Sequence, residues 1–97
     1  MHFDIILAPE SIEDLARLKA AQRTTVKAAL EVHLRHAPSK ASRSRIKRLR
    51  GLSRPQYRLR VGDIRVFYDV ADGTVEVLAI VPKSETSAWL NQFGKPQ

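Results

Sequence analysis

One stretch constrains the fold of this chain more than any other: Tyr57 to Val70, where two alternating runs of β-branched, aromatic and arginine residues meet at Gly62-Asp63. A two-residue loop with glycine first is the signature of a type II′ turn, whose twist matches that of the strands it joins. The loop length fixes the register. Val61 faces Ile64, Arg60 faces Arg65, Leu59 faces Val66 and Arg58 faces Phe67, and side chains alternate between the two faces of the sheet. Tyr57, Leu59, Val61, Ile64, Val66, Tyr68 and Val70 therefore share one face, which is apolar enough to be core. Arg58, Arg60, Arg65 and Phe67 share the other.

Like charges directly opposite each other on a sheet are destabilising by roughly 0.2–1 kcal/mol, so the Arg60–Arg65 pair needs a reason. The arginines either form a solvated outer face that reaches carboxylates such as Asp69 and Glu76, or they meet an external anion. Guanidinium offers five donors in a planar fork that suits phosphate. The distribution of charge favours the anion. Eleven of the 17 Lys and Arg residues lie between Arg35 and Arg65, against one acid, Asp63, and all of the net charge of +7 sits in that third of the chain. This is the electrostatic footprint of a nucleic-acid binder.

At 97 residues the chain reads as a single domain, residues 1–97. Phe3 to Leu7 is a short apolar run ended by Pro9, a first strand. Ser11 with Asp14 resembles a capping box, and Ile12, Leu15 and Ala16 follow at helical spacing. Val26, Leu30, His33, Leu34 and Ala37 form a second helical stripe ending before Pro38, with a break expected near Ala20 to Thr24. Pro38 to Arg45 is a polar, basic loop. Ile46, Leu49 and Leu52 recur at three-residue spacing, which predicts a turn pinned on the core with Lys47, Arg48 and Arg50 outside and Gly51 at its end.

Beyond the hairpin, Ala71-Asp72-Gly73 is a second turn. A strand follows with Val75, Val77, Ala79 and Val81 on one face and Glu76, Leu78 and Ile80 on the other. Pro82 stops it, and Ser84 is placed to cap a short last helix carrying Trp89 and Leu90 and ending at Gly94. The expected fold is α+β, in the order β-α-α-β-β-β-α. It has a mainly antiparallel four-stranded sheet, two N-terminal helices packed on one face, and a short C-terminal helix.

The absence of cysteine excludes disulfides and thiol chemistry and leaves too few soft ligands for structural zinc, so neither metal nor other cofactor is expected. His33 lies on the helical stripe, where a lone histidine is usually a packed residue, and His2 and His36 have no acidic or hydroxyl partner placed near them by the sequence. Nothing resembles a leader or a membrane span, which suggests a soluble, cytoplasmic protein with no membrane partner.

The residues Lys47-Arg48-Leu49-Arg50-Gly51-Leu52, Tyr57-Arg58-Leu59-Arg60-Val61-Gly62-Asp63 and Arg65-Val66-Phe67-Tyr68-Asp69-Val70 resemble the RelE/ParE superfamily of toxins from type II toxin-antitoxin pairs. The likeness extends to element order over nearly the whole chain. It implies a cytoplasmic toxin held inactive by a cognate acidic antitoxin. RelE-like members cleave mRNA on the ribosome without a metal, by in-line attack of a ribose 2′-oxygen on the adjacent phosphate. Arg65 matches the family's phosphate-stabilising arginine, and Arg58 and Arg60 match basic positions on the preceding strand, commonly lysine in RelE. Lys83 falls where the family places a general acid, and Trp89 where it places a base-stacking aromatic. Arg43, Arg45, Lys47, Arg48 and Arg50 are the further candidates for nucleic-acid contact. The missing RelE-type acid and tyrosine favour the alternative, a ParE-like toxin that inhibits DNA gyrase without cleaving RNA.

Overall fold

The computed structural model describes residues 2–97. Strands β4 (Tyr57–Val61) and β5 (Ile64–Ala71) pair in the register that the turn dictates, Arg58 with Phe67, Leu59 with Val66, Arg60 with Arg65 and Val61 with Ile64. Gly62, at φ +57°, supplies the left-handed residue that opens a type II′ turn. The following turn uses two such residues, Asp72 at φ 51° and Gly73 at φ 74°, the type I′ pattern, and leads into β6 (Thr74–Pro82). Strand β1 (Asp4–Leu7) runs parallel to β6, so the sheet is mixed.

Two short strands replace the expected turn around Ile46, Leu49 and Leu52. Ile46–Arg48 forms β2, antiparallel to β4, with Ile46 against Leu59. Leu52–Arg54 forms β3, which pairs with β7 (Lys95–Pro96) in a separate two-stranded sheet. The main sheet thus has five strands in the order β1-β6-β5-β4-β2. Its β2 edge is blunted by the basic loop that precedes it. Ser42 donates its N–H to Ile46 O at 2.9 Å, and its Oγ accepts from the N–H groups of Arg45 and Ile46 at 3.1 and 3.0 Å. The outward polar groups of Ile46 are thereby closed to strand addition.

Helices α1 (Pro9–Arg17) and α2 (Ala20–Leu34) are separate, with the break at Leu18–Lys19. Ser11 is not the cap. Ala8 holds that position, and the buried Ser11 hydroxyl donates to Ala8 O at 2.8 Å. Asp14 instead accepts the Ile80 N–H at 2.9 Å, on the part of β6 that extends beyond the end of β1, and pairs with Arg17. The α2 stripe buries Val26, Leu30 and Leu34 against Leu59, Val66, Tyr68, Val75 and Val77. At the exit of α2, the Tyr68 hydroxyl donates to Pro38 O at 2.7 Å and ties the basic loop to this core.

The alternation expected along β6 breaks once. Tyr68 faces Val77 but Phe67 faces Ala79, leaving Leu78 as the extra residue of a bulge. Val75 and Val77 consequently lie in the helix-covered core, whereas Ala79 and Val81 cross to the opposite face and Ile80 takes the core position. A single 3-10 turn (Lys83–Glu85) then leads into α3 (Thr86–Phe93), which packs on that opposite face. Ser84 does not cap it; the Thr86 hydroxyl donates to Lys83 O instead.

Candidate nucleic-acid interface

Register places the cationic residues in two rows across β2, β4, β5 and β6. Lys47, Arg58, Phe67 and Ala79 are successive cross-strand partners, and so are Arg60, Arg65 and Val81. The Arg60 N–H donates to Arg45 O at 2.9 Å, which brings Arg45 into the second row. The sheet thus presents Lys47, Arg58, Arg60 and Arg65 on the face away from α1 and α2, with Arg45 at the sheet edge beside them.

These residues differ in exposure. Arg60, Arg45 and Lys47 are exposed and Arg58 is half-buried, but Arg65 retains only 6% of its surface. Arg65 Nη1 donates to Gly62 O at 2.8 Å and Ile64 O at 3.1 Å, so its guanidinium is held against the turn it follows. Burial, then the charges of Arg58 and Arg60, lower its pKa below the usual arginine range, and Asp63 partly opposes them. Arginine stays protonated at neutral pH even so. Among the described residues, Arg58 Nε is the one buried side-chain nitrogen or oxygen without a hydrogen-bond partner. Such a donor costs about 1–3 kcal/mol while unmet. A patch of this kind attracts anions.

Of the carboxylates on this face, Asp69 and Glu76 are engaged away from the patch, and Asp63 in the turn is the one that acts on Arg65. Arg54, on β3, lies 3.4 Å from Asp69 and 3.2 Å from Glu76, at the far end of the same face. Asp69 also accepts the Gln56 N–H at 2.7 Å. Neither row contains a His, Asp, Glu or Tyr. The patch is therefore equipped for charge stabilisation and positioning rather than for proton transfer.

Not every expected residue joins it. The Lys83 N–H donates to Asp63 O at 2.7 Å, so its backbone sits beside the hairpin turn at the Arg65 end of the patch. Arg43 lies in the exposed basic loop, and Arg50 in the exposed turn after β2. Arg48 is directed away: its guanidinium stacks 5.3 Å from the Tyr57 ring centroid, and Nη1 donates to Gln56 O at 2.7 Å. Trp89 lies parallel to Phe67, with centroids 4.9 Å apart and 4° between planes. That stack commits one face of the indole to anchoring α3. Phe67, on the face that the hairpin register gives it, roots this anchor among the arginines.

His33 lies on the opposite side of the sheet with α2, and burial followed by the charge of Arg45 lowers its pKa from 6.5. No group of three or more His, Asp or Glu side chains able to hold a metal ion occurs among the described residues. None of the described helices is long and apolar enough to cross a membrane.

Residues 5–86 match the family described as ParE toxin of type II toxin-antitoxin system, parDE. Comparison with curated proteins gives no match. The fold is similar to that of the archaeal RelE–RelB complex from Pyrococcus horikoshii OT3, with a TM-score of 0.70 at 23% identity, covering 86% of this chain and 97% of that one. It is similar to the RelB–RelE antitoxin-toxin complex from Methanococcus jannaschii, with a TM-score of 0.68 at 20% identity, covering 87% and 96%. It is also similar to the free Escherichia coli toxin RelE carrying two arginine-to-alanine substitutions, with a TM-score of 0.70 at 17% identity, covering 96% and 99%. At these identities the likeness is one of fold.

Proposed function

The chain belongs to the ParE toxin family of type II toxin-antitoxin systems, and on that premise we propose that it is a ribosome-dependent mRNA endonuclease restrained by a cognate acidic antitoxin. The observation that carries this reading is the patch of Lys47, Arg58, Arg60 and Arg65, with Arg45 at its edge and Asp63 as the one acid that acts on Arg65. RNA phosphates fit that patch, and phosphate contacts of this kind position a strand without reading its sequence.

In the proposed reaction the ribose 2′-oxygen attacks the adjacent phosphorus in line and loses its proton to solvent water. The bond to the 5′-oxygen breaks, leaving a 2′,3′-cyclic phosphate and a 5′-hydroxyl that gains a proton. Arg58 and Arg60 bind the phosphate, and Arg65, pinned to its turn, presents a fixed positive charge to the developing negative charge. Lys83, beside the turn, is the candidate donor to the leaving oxygen. Arg43 and Arg50 extend the contact along the RNA backbone. Arg48 contributes charge from the sheet edge. Trp89, held between Phe67 and Phe93, has its role in anchoring α3 behind the patch rather than in stacking on a base.

The second reading, inhibition of DNA gyrase without RNA cleavage, is favoured by one specific observation: neither cationic row holds a group that titrates near neutrality. Cells expressing the chain separate the two. Broken transcripts without a DNA-damage response support the nuclease, whereas intact transcripts with induced DNA-damage signalling support the gyrase reading. The RelB partners in the two archaeal complexes support an antitoxin for this chain too, in the cytoplasm, where mRNA and ribosomes are found.

A further inference from the structure

Helix α3 divides the outer face of the sheet, and its other side is chemically unlike the arginine patch. There, between α1, β6 and α3, lies a groove of about 460 Å³. Its floor is Ala8, Leu78 and Val81, and α3 contributes Trp89 and Phe93. Phe93 is 52% exposed. Large apolar side chains left open together, with polar residues around them, mark an interaction site.

The rim has the opposite sign to the protein as a whole. Glu10 and Glu13 on α1 and Glu85 at the start of α3 line the groove and enter no ion pair among the described residues. The facing cations are mostly spent, since Arg17 is paired with Asp14, and Arg54 with Asp69 and Glu76, leaving Lys95. In a chain of net charge +7 this is a local anionic rim around an apolar floor.

We propose that this groove docks an aliphatic segment flanked by lysine or arginine, contributed by the cognate antitoxin. The proposal rests on the toxin-antitoxin reading given above. The occupant's chemistry follows from complementarity: aliphatic anchors for Leu78, Val81 and Phe93, and a cation for Glu10, Glu13 and Glu85. An acidic segment suited to Arg58 and Arg60 is repelled here.

The test uses the antitoxin obtained by selecting, from a library of the source genome, the gene that restores growth to cells expressing the toxin. Binding of that purified antitoxin is measured to the wild-type chain, to Phe93→Asp, to the double variant Glu10→Lys/Glu13→Lys, and to Arg58→Glu. The expected result is a rise in Kd of at least tenfold for both groove variants, with amide-exchange protection over residues 8–17 and 86–93 in the wild-type complex. The two glutamates are exposed, so their reversal leaves the fold intact should Phe93→Asp disturb α3. Wild-type affinity in the glutamate variant overturns the proposal, and so does tighter binding, which would mean an acidic occupant. Loss of binding in Arg58→Glu alone overturns the groove while leaving the antitoxin reading in place. A rescuing protein that does not bind the wild-type chain defeats the antitoxin reading and this proposal with it.

Discussion

Replacing Arg60 by threonine is predicted to make the protein more stable while impairing its function. Arg60 stands directly opposite Arg65 on β5, with Arg45 on its other side. A cross-strand pair of like charges costs about 0.2–1 kcal/mol, and threonine suits an exposed strand position. Arg60 makes no hydrogen bond or ion pair that its loss would forfeit among the described residues, and its charge is one of those that depress the pKa of Arg65. The expected gain at low salt is about 0.5–1 kcal/mol, and at about 4–8 °C per kcal/mol for a domain of this size the melting temperature should rise by about 2–8 °C. Because the effect is Coulombic, it should shrink strongly near 1 M salt, where the Debye length is about 3 Å. Urea and thermal unfolding at low and high salt measure both quantities. Destabilisation by more than about 0.5 kcal/mol, on the scale of one net hydrogen bond, or a gain indifferent to salt, would refute the reasoning that this patch is held at a cost to the fold.

Tyr68→Phe should cost about 1–2 kcal/mol, because the buried Pro38 carbonyl loses its 2.7 Å donor; limited proteolysis should then cut the 38–45 loop faster than in wild type. Asp14→Ala should cost about 1–3 kcal/mol by removing the acceptor of the Ile80 N–H, while Asp14→Asn, which keeps a carbonyl oxygen there, should recover most of that in the same denaturation assay. The pKa of His33 is lower in the folded chain than its ordinary 6.5, so the unfolded chain binds its proton first. Stability should therefore fall as pH drops through about 6.5 and level off below the folded-state value. His33→Gln should remove that part of the acid loss in a pH series of urea midpoints, and an unchanged pH profile would exclude His33 as its source.

The hairpin was legible because a two-residue Gly62-Asp63 loop admits one register, and that register alone assigned Arg58, Arg60 and Arg65 to one face. Lys47 and Arg45 were visible only as charge, since nothing local in a three-residue strand distinguishes it from a turn. β2 exists because Ile46 finds Leu59 and because Ser42 closes its outer edge. The β6 faces depart from simple alternation after Val77 because a bulge depends on pairing between strands, which alternation along one strand cannot express. Asp14 was misread for a related reason. Its carboxylate satisfies a sheet edge distant in sequence rather than its own helix terminus. The anionic groove was illegible altogether, because Glu10, Leu78 and Phe93 meet only through the fold.

The most direct test of the arginine patch as an RNA-cleaving surface is cleavage of a defined mRNA on purified translating ribosomes. The wild-type chain is compared there with Arg65→Ala and with the exposed Arg60→Ala, and the cut ends are mapped. The prediction is cutting within the codon in the ribosomal A site, leaving 2′,3′-cyclic phosphate ends, abolished by Arg65→Ala and reduced at least tenfold by Arg60→Ala. Intact mRNA with the wild-type chain, while a reference nuclease cuts in the same assay and the chain arrests supercoiling by purified gyrase, would contradict it.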